Sequence, residues 1–171
     1  VHCFLDGRDT PPASAENYIM ELEDKMKEKG VGKIASISGR FYAMDRDNRW
    51  QRIQKTYDAM VNGVGEKATS AISAIESSYQ KEVFDEFVVP TVICNGEEPV
   101  ATIGKKDSVI FFNFRPDRAR EITRTLVDPE FKEFETKKLD LCFVCMRQYD
   151  ETIPNVNIAF KQTTLVNTFG E

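Results

Sequence analysis

A single histidine and four cysteines among 171 residues leave little material for metal or redox chemistry. His2 has no cysteine or acidic neighbour at ligand spacing and reads as a packed residue. Cys142 and Cys145 form the only C-x-x-C pair, and in a strand positions i and i+3 point to opposite faces. With Cys3 and Cys94 they read as small buried hydrophobes of a cytosolic protein. No apolar run approaches the roughly 18 residues a membrane helix needs, and no signal peptide or lipidation motif is visible. There is no G-x-S-x-G, no Walker loop and no H-E-x-x-H, so no nucleophile is evident. A net charge of −5 argues against a general nucleic-acid binder, which is normally basic.

What is present is arginine, placed selectively. Seven of the ten arginines (Arg8, Arg40, Arg46, Arg49, Arg115, Arg118, Arg147) fall in or beside loops that follow apolar runs. VHCFL (1–5) runs into Asp6-Gly7-Arg8-Asp9, and KIASIS (33–38) into Gly39-Arg40 and Asp45-Arg46-Asp47. SVIFFNF (108–114) runs into Arg115-Pro116-Asp117-Arg118, and LCFVCM (141–146) into Arg147-Gln148-Tyr149-Asp150. If those runs are parallel strands of one sheet, the loops share the edge where open α/β sheets bind ligands. Guanidinium forks gathered there suit a small polyanion, because arginine meets phosphate or carboxylate in a fixed bidentate geometry.

The pattern of elements is α/β. Ser14 is placed to cap a helix carrying Tyr18, Ile19, Leu22 and Met26, which Gly30 ends; the flanking strands make a βαβ unit. Asp47 or Asn48 opens a helix with Trp50, Ile53, Tyr57 and Met60, closed at Asn62-Gly63, and Ser70 opens another. FVVPTVI (87–93) reads as a strand at an edge or a bend, because Pro90 interrupts its donors. Asn95-Gly96 makes a turn to a hairpin partner at Val100–Ile103. The run 108–114 reads as a central buried strand, followed by a helix from Asp117 or Arg118 to about Val127. Strands follow at 141–146 and 156–160. The expected architecture is three-layer αβα, with a mostly parallel central sheet and a short antiparallel edge hairpin.

Each candidate site has a plain structural counterpart. Arg8 and Asp9 either clamp an anion and bind a hydroxyl or form a surface pair that shapes the turn. Arg40 and Arg46 bracket a loop walled by Phe41, Tyr42 and Met44; the charges of Asp45-Arg46-Asp47 face a helix N-terminus or simply cap it. A DxD metal site is disfavoured by the arginine between the aspartates. Arg115 and Arg118 at a helix start oppose its dipole, a conflict a ligand phosphate removes. Arg147 and Asp150 are weaker candidates.

FLDGRDTPP (4–12), SGRFYAMDRDNRW (38–50), DEFVVPTVI (85–93), IFFNFRPDRARE (110–121) and VCMRQYD (144–150) closely resemble the cofactor-independent phosphoglycerate mutases, over essentially the whole chain. The resemblance implies that residues 1–171 are a single substrate-binding (phosphotransferase) domain, excised from a two-domain cytoplasmic enzyme of glycolysis. The start at Val1 and the stop at Asn167-Thr168-Phe169-Gly170-Glu171 fit such a cut. The other domain of such enzymes resembles alkaline phosphatase and carries a serine nucleophile and two manganese ions; no cofactor is expected in this domain. Arg8 and Asp9 would hold the glycerate, with Asp9 a candidate proton carrier. Arg40 and Arg46 would contact the substrate carboxylate and phosphate, and Arg115 and Arg118 the phosphoryl end. The family also uses a histidine before this segment and a lysine after it; His2 is not that histidine. The expected substrate is 2- or 3-phosphoglycerate and the expected partner the missing domain, with no nucleic acid or membrane. The alternative is a stand-alone binding module for sugar phosphates or nucleotides, without catalysis.

Overall fold

The computed structural model of the chain describes residues 1–161; Asn167 to Glu171, read above as a cut end, lie outside the described residues. The chain divides into two compact units, Val1–Gly104 and a second from Lys105 onward. It is α/β, with one mixed and one parallel sheet. The four arginine-tailed runs are therefore not strands of one sheet: two belong to each.

In the first unit, β1 (His2–Leu5) and β2 (Ser36–Gly39) pair in parallel, His2 opposite Ser36 and Leu5 opposite Gly39. Helix α1 (Ala15–Lys29) joins them and ends at Gly30, whose φ of 66° is the left-handed cap that glycine adopts without strain. A one-turn helix, α2 (Arg40–Ala43), follows β2 directly, where an irregular loop was expected. Then come α3 (Trp50–Tyr57), a π-helical turn at Asp58–Asn62 closed by Gly63, and β3 (Glu66–Ala68). Helix α4 (Ala71–Gln80) opens with a Ser70–Ser73 capping box. A 3-10 turn at Asp85–Phe87 leads into β4 (Thr91–Asn95) and β5 (Glu98–Pro99).

Strand order is β1-β2-β4-β3, with β5 added to β4, and β4 is antiparallel to β2. This sheet is thus mixed rather than mostly parallel. Of the two positions expected for the Pro90 segment, an edge or a bend, the edge is overturned: β4 is interior, and Pro90 lies between the 85–87 turn and the strand. Pro90 precedes the first paired residue, so its missing N–H costs the ladder nothing. The hairpin partner is 98–99, not 100–103. Leu5, Ile19, Ile37, Ile75, Val88 and Ile93 form the main core, while Val92 and Cys94 pack with Ala59.

In the second unit, β6 (Ser108–Phe111), α5 (Arg120–Val127), β7 (Cys142–Arg147) and β8 (Val156–Phe160) give a parallel sheet ordered β6-β7-β8. The apolar run 108–114 is therefore an edge strand and its exit, not a central one; Ile110 and Phe112 are 73% and 78% exposed. The inward Phe111 meets Phe143 and Tyr149 edge-to-face, and Ile122 and Leu126 of α5 are buried. Two buried threonines in α5 satisfy their hydroxyls within the helix, Thr123 to the Ala119 carbonyl at 2.7 Å and Thr125 to that of Ile122 at 2.8 Å. Among the described residues no helix is long and apolar enough to cross a membrane.

Gly39 has ordinary backbone angles (φ −64°, ψ 149°), so only space forbids a side chain there. A Cβ would lie 2.4 Å from the Glu86 carbonyl oxygen. Gly39→Ala should lower stability by about 1–3 kcal/mol, the usual cost of forcing atoms into a filled region. Urea unfolding reads this; an unshifted midpoint means that the 85–87 turn yields freely.

Candidate functional site

Parallel pairing of β1 and β2 sets their C-terminal loops side by side. The first loop is an Asx turn: Asp6 Oδ1 accepts the N–H groups of Arg8 and Asp9, each at 3.0 Å. Gly7 has φ 70°, and a Cβ there would come within 2.8 Å of the Glu86 nitrogen. The second loop contributes Arg40, only 6% exposed. Its Nη1 donates to Asp6 Oδ1 at 2.5 Å and to Asp9 Oδ2 at 3.2 Å, while its buried Nε has no partner among the described residues. Burial disfavours the Asp6 carboxylate, but the N–H groups of Asp9 and Arg8 and the Arg40 guanidinium outweigh it and hold its pKa below the ordinary value. Burial likewise opposes charge on Arg40, and bonds to Asp6 and Asp9 reverse that, raising its pKa.

Both loops rest on the 85–87 turn. Arg8 is 3.6 Å from Glu86 Oε1. The buried Asp85 takes the N–H groups of Ser14 and Ala15 on Oδ2, both at 2.9 Å, and the Tyr79 hydroxyl on Oδ1. So the carboxylate that caps α1 comes from 71 residues away, whereas the Ser14 hydroxyl donates to the Pro11 carbonyl at 2.8 Å instead. Sequence reasoning missed Asp6 and Asp85. The doubled aspartate of Asp6-Gly7-Arg8-Asp9 was a signal for the first; for Asp85 no local signal existed, because its partners are remote.

Asp45 is buried and structural. Its Oδ2 accepts the N–H groups of Asp47 and Arg49, both at 2.9 Å, and its Oδ1 the Arg52 Nη1 at 3.1 Å. The residue at the N-cap of α3 is Arg49, not Asp47 or Asn48; Asp45 supplies the acceptor. Arg52 stacks 3.7 Å over Phe41, and Phe41 also meets Tyr42 and Phe87. Arg46 is exposed on the loop between them.

In the second unit, α5 begins at Arg120. Arg115 and Arg118 therefore lie before the helix rather than in its first turn, which weakens the expected conflict with its dipole. Arg115 Nη2 is 3.5 Å from Asp117 Oδ2 with more than half of its side chain exposed, and Arg118 is half-buried. The buried Tyr149 clasps the strand exit, donating to the carbonyls of Phe111 (3.0 Å) and Asn113. Arg120 Nε donates to the Tyr149 carbonyl at 2.8 Å. Asp150 has structural work: it accepts the hydroxyl and N–H of Thr152 at 2.7 and 2.8 Å and lies 3.4 Å from Arg124. Those Thr152 bonds, ahead of Arg124, lower its pKa. Arg147 is exposed at the end of β7.

Arg8, Asp9, Arg40 and Arg46 thus belong to the first unit, and Arg115 and Arg118 to the second; Asp9 and Arg40 are in direct contact. Cys142 is exposed and Cys145 buried, as opposite strand faces require, and burial pushes the Cys145 thiol up to about 11. Among the described residues no group of three or more His, Cys, Asp or Glu is placed to hold a metal ion.

Comparison with known proteins adds the following. The family model described as BPG-independent PGAM N-terminus matches residues 1–151. A 2,3-bisphosphoglycerate-independent phosphoglycerate mutase of Clostridium perfringens is 61% identical over 171 residues, covering 100% of this chain and 33% of the relative. The enzyme of the same name from Acetivibrio thermocellus is 59% identical over 173 residues, covering 100% of this chain and 34% of its own length. The chain thus spans about a third of the length of these curated relatives. A crystal structure described as Leishmania mexicana phosphoglycerate mutase at low cobalt concentration superposes with a TM-score of 0.87 at 32% identity, covering 98% of this chain and 32% of that one.

His2 Nδ1 lies 2.8 Å from Ser36 Oγ across the β1–β2 pair. Burial, and then the nearby amino terminus, push its pKa from 6.5 down to about 4. The unfolded imidazole binds a proton near pH 6.5, and the folded one resists until about 4. This contribution to stability is therefore whole above pH 6.5 and is lost as pH falls through that window. As the only histidine, its ring signals report the value directly in an NMR titration; a midpoint near 6.5 contradicts its burial.

Proposed function

The chain belongs to the BPG-independent phosphoglycerate mutase N-terminus family, and from that premise we propose that it is the substrate-binding domain of a mutase interconverting 3- and 2-phosphoglycerate. The Arg40 fork supports this reading: it is buried, anchored on one nitrogen by Asp6 and Asp9, and its Nε has no partner among the described residues.

In this reading the reacting serine belongs to the rest of the longer polypeptide, a phosphatase-like domain. Its hydroxyl gives up a proton as the oxygen attacks phosphorus, the bond to glycerate O3 breaks, and O3 takes up a proton. On return, O2 gives up its proton and attacks the phosphoserine, and the released serine oxygen takes a proton back. Arg8 and Asp9 hold the glycerate between the two steps, with Asp9 carrying protons at its hydroxyls. Arg40 and Arg46 bind the carboxylate and phosphate; Arg115 and Arg118 bind the phosphoryl group. Each cation is worth most where water is excluded, so closure of the two domains over the substrate is part of the mechanism. The two manganese ions that the resemblance implies would belong to that other domain and would supply positive charge there; no residue of this chain is proposed to hold them. For the first unit we also infer three layers, with α1 and α4 on one sheet face and α3 on the other. We also infer a cytoplasmic enzyme; that the four cysteines of this chain are free thiols supports this reading.

The 171-residue chain alone should show no mutase turnover and bind 3-phosphoglycerate weakly, at roughly millimolar Kd. Turnover by this chain alone would sink the division of labour, and tighter calorimetric binding of ATP than of 3-phosphoglycerate would favour a nucleotide module. In the full-length enzyme Arg115→Ala should lower kcat/KM about 10- to 100-fold, the worth of one or two charge-assisted hydrogen bonds. An unchanged value removes Arg115 from the site.

A further inference from the structure

One carboxylate oxygen in the first unit accepts three hydrogen bonds. Asp6 Oδ1 takes the N–H groups of Arg8 and Asp9, both at 3.0 Å, and Arg40 Nη1 at 2.5 Å. Two donors are main-chain groups of the loop that presents Arg8 and Asp9. The third is a guanidinium 34 residues away. None of the substrate-binding roles above uses Asp6.

We propose that Asp6 is a positioning residue for substrate capture: its single oxygen locks the Arg8–Asp9 loop and the Arg40 fork into one rigid unit. The proposal rests on the reading of Arg40 as a substrate-binding residue. A guanidinium is planar, with five donors in fixed directions. Holding Nη1 against Asp6 and Asp9 decides which donors remain for a ligand. The buried Nε has no partner among the described residues, so the chain has not used up the fork. A free arginine side chain surrenders rotamer freedom when it binds; one already held by a carboxylate has less to lose, and that is preorganisation. Asp9 alone does not serve, because its side chain is 64% exposed and its bond to Nη1 is longer, at 3.2 Å. Asp6 is the better-shielded anchor, 32% exposed.

The test is a double-mutant cycle in the full-length enzyme with Asp6→Asn and Arg40→Ala. It is read both as kcat/KM and as the calorimetric Kd of 3-phosphoglycerate, with melting curves to confirm folding. Asp6→Asn keeps an oxygen for the two loop N–H groups and removes the charge that holds Arg40. It should lower kcat/KM about tenfold and weaken 3-phosphoglycerate binding, in keeping with a charged hydrogen bond made neutral. In the Arg40→Ala background the same change should cost less than about twofold, because the group it positions is gone. Equal costs in both backgrounds mean a merely structural aspartate and overturn the proposal, as does an unaffected Asp6→Asn enzyme. If Arg40→Ala itself changes neither readout, the reading of Arg40 fails instead, which is a separate outcome. Should Asp6→Asn not fold, Asp6→Ser, which retains a short acceptor for the loop, carries the cycle under the same criteria.

Discussion

Burying a guanidinium is the constraint on which the first unit depends. Arg40 is 6% exposed, and an arginine taken out of water without partners costs several kcal/mol. The fold meets that cost with geometry rather than with one ideal pair. Parallel register between β1 and β2 ends both strands at the same level, Leu5 opposite Gly39. The carboxylates that follow one strand therefore reach the guanidinium that follows the other. Two glycines let this happen. Gly7 makes the positive-φ turn beneath Asp6, and both Gly7 and Gly39 leave room for the 85–87 turn to press against the loops. Asp85, at the start of that turn, also caps the N-terminus of α1. Losing any one of these contacts would disturb the others, because they share the same carboxylates and the same turn.

The second unit reaches a similar end by another route. Its strand exit carries Arg115 through a segment with no regular structure, so the main chain needs partners that a ladder does not supply. Tyr149 provides them, bridging two carbonyls of that exit while its own carbonyl takes Arg120. Burial raises the Tyr149 pKa, so the hydroxyl keeps its proton and remains a donor at any ordinary pH. A phenol is well suited here: its ring packs against Phe111 and its hydroxyl reaches past the strand end.

Local chemistry was legible in the sequence, and long-range partnership was not. Gly30, Gly63 and Ser70 are punctuation whose effect stays within a few residues, and the helices they bound appear where spacing placed them. The split between two sheets was not legible, because an apolar run records that a strand is buried on some face, not which strand lies beside it. The run 108–114 shows the ambiguity: its density suited a central strand, yet of its phenylalanines Phe111, itself half-buried, meets the core aromatics while Phe112 and Phe114 are exposed. Pro90 misled in the opposite sense. Its restriction applies to the residue itself, and β4 begins one residue later, inside the sheet. Arg8, Asp9 and Arg40 were legible as candidates, but Asp6 and Asp85 act through partners 34 and 71 residues distant, a relation no window on the chain contains.

The recurring arginine-with-aspartate pattern also proves to be two things. Arg52 with Asp45, and Arg124 with Asp128 and Asp150, are clamps: each arginine is mostly buried and each carboxylate also ties down main-chain N–H groups or a helix end. Arg8 with Glu86, and Arg115 with Asp117, are long and more than half exposed on the arginine side, and such pairs contribute little to stability. Arg40 belongs to neither class, being buried like a clamp yet with an Nε that has no partner among the described residues. Residue spacing alone does not reveal that combination.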